Sequence, residues 1–254
     1  MKIVHKVALT ALAALAFQVQ ADVLDDIVAR GYVKVGTTGD YKPFSHLENK
    51  TYRGYDIDVA KYFAKQLGVE VRFVPTTWKT LTADLQANKY DIAMGGITRK
   101  ISRQLVAEQS QGYMTFGKVF LVAKGKSSQF DRLDKVNQPE VKVGVNIGGT
   151  NEKFADQFLT EARLVKYENN LDVPKAVARG DVDVMVTETP EALYYQATDA
   201  RLEAVREENP FTKSQFGYLV PKGEQRWLNT VNFMMDELVL KGIDKQIMQD
   251  NQLQ

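Results

Sequence analysis

Short runs rich in β-branched residues alternate with amphipathic stretches of helical period along this chain, and near its middle the alternation starts afresh. Val33 to Thr37 reads as a strand, Tyr55 to Gln66 as a helix ended by Gly68, Val69 to Val74 as a strand, Leu81 to Ala87 as a helix and Asp91 to Ala93 as a short strand. After an apolar strand at Val119 to Ala123 the rhythm repeats. Val141 to Val145, Arg163 to Tyr167 and Val182 to Val186 read as strands, separated by helices at Glu152 to Leu159 and Val173 to Ala178. A last strand, Phe216 to Val220, precedes a long helix from Gln225 to Leu240. Period-2 and period-3.6 segments in strict alternation predict open α/β sheets. With the second set inserted in the first, the expected architecture is two lobes joined by two crossing strands. Residues 22–119 plus 216–254 form one lobe and residues 120–215 the other.

The first residues read as an export signal. Lys2 and Lys6 give a basic start, Val7 to Phe17 is apolar, and Val19-Gln20-Ala21 supplies the small residues of a cleavage site. The apolar run is shorter than the roughly 20 residues a membrane span needs, so residues 1–21 are expected to be removed and the mature protein to be exported to the periplasm. Cleavage takes two lysines and no acid from a chain with 33 basic and 32 acidic residues. That near-neutral balance argues against nucleic acid or an anionic membrane as partner. The chain has no cysteine, and His46 is the one histidine outside the signal. Thiol nucleophiles, histidine triads and multi-histidine metal sites are therefore excluded, and neither metal nor cofactor is expected. Carboxylates, Arg, Lys, hydroxyls and aromatics must carry any chemistry.

Open α/β sheets bind ligands beyond the carboxyl ends of their strands, which directs attention to the segments after Thr37, Val74, Ala93, Val145 and Val186. The first carries Asp40 and Tyr41 within Gly39-Asp40-Tyr41-Lys42-Pro43, either ordinary turn chemistry or a carboxylate and an aromatic face turned to the cleft. The second carries Trp78, either a cap on the core or a wall for a ring-shaped ligand. The third carries Gly95-Gly96, Thr98 and, five residues on, Arg103, which can grip a carboxylate with two parallel hydrogen bonds; beside Arg99 and Lys100 it can equally belong to a solvated helix face. Gly148-Gly149-Thr150 after the fourth suits an anion at a helix N-terminus, though it lacks the lysine and spacing of a nucleotide loop. Thr187-Glu188-Thr189-Pro190-Glu191 follows the fifth. Thr189 is a good N-cap and Pro190 a good first helical residue. Glu191 in the first turn complements the helix dipole without any further role.

Taken in order, Gly39 to Ser45, Gly54-Tyr55-Asp56-Ile57-Asp58, Thr98 with Arg103, Gly148-Gly149-Thr150 and Thr187-Glu188 resemble the amino-acid-binding class of periplasmic solute-binding proteins, over the whole mature chain. The resemblance implies a type II periplasmic-binding-protein fold that closes over a small carboxylate. It also implies that Arg103, Thr98 and Thr150 hold an α-carboxylate and that the acid at 188, here Glu where Asp is usual, meets an α-ammonium. Thr37 to Ser45, Trp78, Gly117-Lys118 and Gly148 to Ala155 are similar to the cyclohexadienyl dehydratases built on this scaffold. That narrower likeness implies decarboxylating dehydration of prephenate or L-arogenate, with Glu191 as general acid, Arg103, Lys118, Thr98 and Thr150 on the carboxylates, and Trp78 and Tyr41 walling the ring. A plain amino-acid receptor serving an ABC permease is the alternative. A helix N-terminus together with Arg103 and Lys118 should favour ionised Glu191, while a dianionic ligand and burial on closure act the other way, so Glu191 is expected to become a competent acid chiefly in the closed complex.

Overall fold

The computed structural model describes residues 22–253; the signal reading of residues 1–21 lies outside them. Two five-stranded sheets form the two lobes. In the first, Tyr32–Thr37 runs parallel to Glu70–Pro75 on one side and Ile92–Ala93 on the other, and Leu219–Val220 closes the sheet antiparallel to Ile92–Ala93 and Glu108–Gln109. In the second, Lys142–Asn146 lies parallel to Arg163–Tyr167 and Val184–Glu188. Lys118–Ala123 is set antiparallel to Val184–Glu188 and to Leu202–Val205. Between the sheets the chain crosses twice, at Met114–Phe116 and Ser214–Phe216, which pair antiparallel.

The residue types explain which strands lie inside. Val184–Glu188 is buried at every position, because it lies inside a mixed sheet with apolar clusters on both faces. Val143, Val145 and Val184 pack on one side and Leu121, Met185 and Ala192 on the other. Glu70–Pro75 has no fully buried position, as an edge strand with charged alternate residues can tolerate. Tyr55–Leu67 ends on Gly68 in the left-handed region at φ 68°, the backbone angle for which glycine is suited. Gln225–Leu240 returns to the first lobe, where Trp227 is 1% exposed and its indole N–H donates to the Asp91 carbonyl at 2.9 Å.

Local structure departs from the sequence expectation in two places. Phe216 to Val220 is not one strand: Ser214–Phe216 belongs to the crossing pair and Leu219–Val220 to the first sheet. Gly217 separates them, its N–H bonded to the Ile97 carbonyl, so a single apolar run serves two sheets. Thr189 is the first residue of the helix Thr189–Thr198 and makes no capping bond within it. Its hydroxyl instead donates to the Gly117 carbonyl at 3.2 Å, tying the helix start to the crossover. Tyr113 and Tyr218 flank the crossing strands, and their phenols donate to the fully buried Asp56 at 2.8 and 2.9 Å. Asp56 also accepts the Gly96 N–H at 2.6 Å. Burial raises it to about 6, against those three donors.

Candidate functional site

The strand ends of both sheets face one another across a cavity of about 20 Å³ lined by Tyr41, Trp78, Thr98, Arg103, Thr150 and Glu188, together with Gly96, Asn146, Gly149 and Asn151. Such a space holds a water or two. The two lobes are therefore drawn together around this cavity. Three contacts hold them in this arrangement. The Tyr41 hydroxyl donates to Glu188 Oε2 at 2.6 Å, the Asn170 main-chain N–H donates to Asp40 Oδ2 at 3.2 Å, and Gly148 lies against the backbone of Lys79. A Cβ at Gly148 would sit 2.6 Å from the Lys79 nitrogen, and its φ is +80°. Gly148→Ala is accordingly expected to hold the lobes apart: ligand affinity falls by about tenfold or more, from at least 1.4 kcal/mol of clash and strain. Small-angle scattering with ligand should then report a more open particle than the wild type.

Each side chain owes its place to a strand end. Tyr41 follows Tyr32–Thr37 on the short strand Asp40–Tyr41 and is 3% exposed. Its ring stacks on Phe44 at 5.4 Å and meets Trp78 edge-on at 5.7 Å. Trp78 serves both of the roles its sequence position allows: it packs against the first-lobe core and lines the cavity. Its indole N–H donates to Asp40 Oδ1 at 2.9 Å. Asp40 itself lies outside that cavity. With Trp78 it borders a neighbouring space of about 370 Å³ reached by both lobes, and burial raises its carboxyl against the hydrogen bonds it accepts, those from Trp78 and Asn170 among them.

Arg103 does not belong to a solvated face. It is 6% exposed, lines the cavity, and donates from Nη1 to the Thr98 carbonyl at 2.6 Å. Burial lowers it to about 10, with Glu188 acting the other way, so it stays charged at neutral pH. Lys118 begins a second-lobe strand with its ammonium buried among Thr150 Oγ1 at 2.8 Å, Asn151 Oδ1 and Glu188 Oε1. Glu188 is filled by protein donors: Lys118 and, at 3.1 Å, Thr150 on Oε1, and Tyr41 on Oε2. Burial alone would raise this carboxyl. The Lys118 charge and the hydrogen bonds from Lys118, Tyr41 and Thr150 hold it below the ordinary glutamate range.

Glu191 is fully buried and points inward, beside the cavity rather than on its wall. It is bonded to the Thr187 hydroxyl, and Oε1 accepts from Asn170 Nδ2 at 2.6 Å. In this closed arrangement burial outweighs the helix N-terminus and the nearby cations at Glu191. Desolvation pushes it well above the ordinary range, Glu188 and Asp40 add repulsion, and the bonds from Thr187 and Asn170 only partly oppose this. Lys118, counted on to lower it, is spent on Glu188. Burial thus shifts Glu191 towards its protonated form.

The residues that sequence reasoning missed are Asn170 and Thr187 around Glu191 and Asn146 and Asn151 around the cavity. Asn170 had a signal: it lies just beyond Arg163–Tyr167, a strand whose carboxyl end the same strand-end rule covers. Among the described residues no cluster of three or more His, Cys, Asp or Glu could hold a metal, and no helix is long and apolar enough to cross a membrane.

Residues 33–251 match the bacterial extracellular solute-binding proteins, family 3. The chain belongs to that family. Among its relatives, the cyclohexadienyl dehydratase of Pseudomonas aeruginosa is 37% identical over 85% of this chain and 81% of its own length. The crystal structure of an ancestral amino-acid-binding protein, described as a precursor of cyclohexadienyl dehydratase, matches with a TM-score of 0.83 and 38% identity, covering 89% of this chain and 98% of that one. An ancestral cyclohexadienyl dehydratase matches at 51% identity with a TM-score of 0.57, covering 91% and 96%. The type II periplasmic-binding-protein fold expected from sequence is the one found. Catalysts and plain binders thus share the scaffold, and the side chains at the cavity must separate the two activities.

Proposed function

We propose that this protein is an exported cyclohexadienyl dehydratase, converting prephenate to phenylpyruvate or L-arogenate to L-phenylalanine in the periplasm. The observation that carries the reading is Glu191, a carboxylic acid fully buried at the cleft, held by two side chains and shifted towards its protonated form. A buried acid shifted towards its protonated form suits a proton donor better than a passive carboxylate site. Dehydration of a cyclohexadienol needs such a donor, because hydroxide is a poor leaving group and one placed proton donor contributes about 10²–10⁴-fold.

In the proposed step Glu191 gives its proton to the ring hydroxyl and the C–O bond breaks to release water. The ring carboxylate leaves as carbon dioxide, and its bonding electrons complete the aromatic ring. Arg103, Thr98, Thr150 and Lys118 hold the substrate carboxylates by charge and hydrogen bonds. Tyr41 and Trp78 flank the ring. Glu191 ends ionised and regains a proton from solvent when the lobes open. Lobe closure excludes water from the reacting ring.

The second reading, an amino-acid receptor for an ABC permease, is favoured by the likeness to an ancestral amino-acid-binding protein. In either reading the ligand must displace the contacts that Lys118, Thr150 and Tyr41 make with Glu188. The deciding experiment incubates purified protein with prephenate at neutral pH and follows phenylpyruvate. Sustained formation far above the protein-free rate is expected. Background-level conversion with tight binding of an amino acid would establish the receptor instead.

A further inference from the structure

We propose that Asn170 is a positioning residue that ties closure of the two lobes to the orientation of the Glu191 carboxyl; this rests on the reading of Glu191 as the acid. Four side chains form one chain of contacts across the cleft. The Trp78 indole holds Asp40 Oδ1 at 2.9 Å, Asp40 Oδ2 takes the Asn170 main-chain N–H at 3.2 Å, and Asn170 Nδ2 holds Glu191 Oε1 at 2.6 Å. Trp78 and Asp40 follow strands of the first sheet, Asn170 and Glu191 strands of the second. Separation of the lobes breaks one link in this chain, the one between Asp40 and Asn170.

Asn170 is 1% exposed, and its Oδ1 is buried with no donor. Its amide is therefore committed to Glu191 and to nothing else. Because its main chain reports the position of the opposite lobe and its side chain grips the acid, closure sets the direction in which the carboxyl proton points. A general acid must sit within hydrogen-bond reach of its target, and geometry of this kind governs rate more than affinity.

The groups around Glu191 give the test a sign. Glu188 and Asp40 bear negative charge towards it, the Tyr41 and Tyr195 phenols border it, and Lys118, the nearby cation, is paired with Glu188. The Asn170 bond favours the ionised form of Glu191, while the charge of Asp40 favours the protonated form. Activity needs the protonated form, so it falls as pH rises through the Glu191 titration. In prephenate turnover by the full chain, Asn170→Ala is expected to lower kcat by about tenfold to a hundredfold with KM little changed, and to move the alkaline limb to higher pH. The near-isosteric Asn170→Asp, which places a second carboxyl against the first, should move it further the same way. Asp40→Asn should move it to lower pH.

A limb that stays in place in all three variants, or a kcat within about twofold of wild type in Asn170→Ala, overturns the proposal. If the wild type does not convert prephenate at all, the dehydratase reading fails first. The coupling is then read from the Glu191 carboxyl stretch in infrared difference spectra, assigned with Glu191→Gln. That band must titrate higher in Asn170→Asp and lower in Asp40→Asn, and unchanged titration refutes the link.

Discussion

Glu191→Gln should bring turnover of prephenate down by about 10²–10⁴-fold and leave the ligand dissociation constant within roughly threefold of wild type. Gln is nearly isosteric and its amide can occupy the site between Thr187 and Asn170, but it has no proton to give. A second effect of the same variant follows from linkage. Because Glu191 titrates above its unfolded value when folded, the folded chain holds a proton that the unfolded chain releases. Stability contributed by this group is fully present below the ordinary glutamate range and is lost as pH rises through the raised folded value. Glu191→Gln should therefore be inactive yet more stable than wild type at alkaline pH, with a flatter profile of urea midpoint against pH. Near-normal activity in this variant would remove Glu191 from the mechanism, whatever its burial.

The second large effect is expected at Lys118. Its ammonium and the Glu188 carboxylate are 7% and 4% exposed as side chains, so Lys118→Ala leaves a buried carboxylate without its cation. The cost of breaking such a pair is about 3–5 kcal/mol, or roughly 6–20 °C in Tm for a chain of this size. The sign of the pH dependence should reverse as well. In the wild type Glu188 is held below the ordinary range, and its stabilisation is present above the unfolded value and lost as pH falls through the folded one. Without Lys118, burial dominates and the titration moves up, so the variant becomes less stable as pH rises above the unfolded glutamate value. Combining Lys118→Met with Glu188→Gln removes both charges and should recover most of the loss, because no uncompensated ion remains. Thermal unfolding across pH decides the matter. A single variant as stable as wild type at neutral pH would mean that water reaches Glu188 and that the pair is not the electrostatic centre of the site.

Much of the architecture could be read before any coordinates. Strands and helices declare themselves through side-chain period, a local property, and Arg163–Tyr167 and Gln225–Leu240 fall where the period places them. The short polar hairpins Asp40–Tyr41, Ser45–Glu48 and Thr51–Arg53 were not legible, because they are too brief to establish a period and their residues suit turns equally well.

At the site the division runs between identity and state. Sequence alone fixed that chemistry here rests on carboxylates, Arg, Lys and hydroxyls, and the strand-end rule named Tyr41, Trp78, Thr98, Arg103, Thr150 and Glu188, which the fold brings around one cavity. Only the tertiary structure decided the direction in which the proton affinity of Glu191 shifts. A helix N-terminus and two nearby cations argued for an ionised carboxyl; folding spent Lys118 on Glu188, set Glu188 and Asp40 against Glu191, and removed water from all sides. Proton affinity depends on the neighbours and solvent a group meets in three dimensions: residues 118 and 170 reach 191 only through the folding of the second lobe, and residue 40 only when the two sheets close on each other.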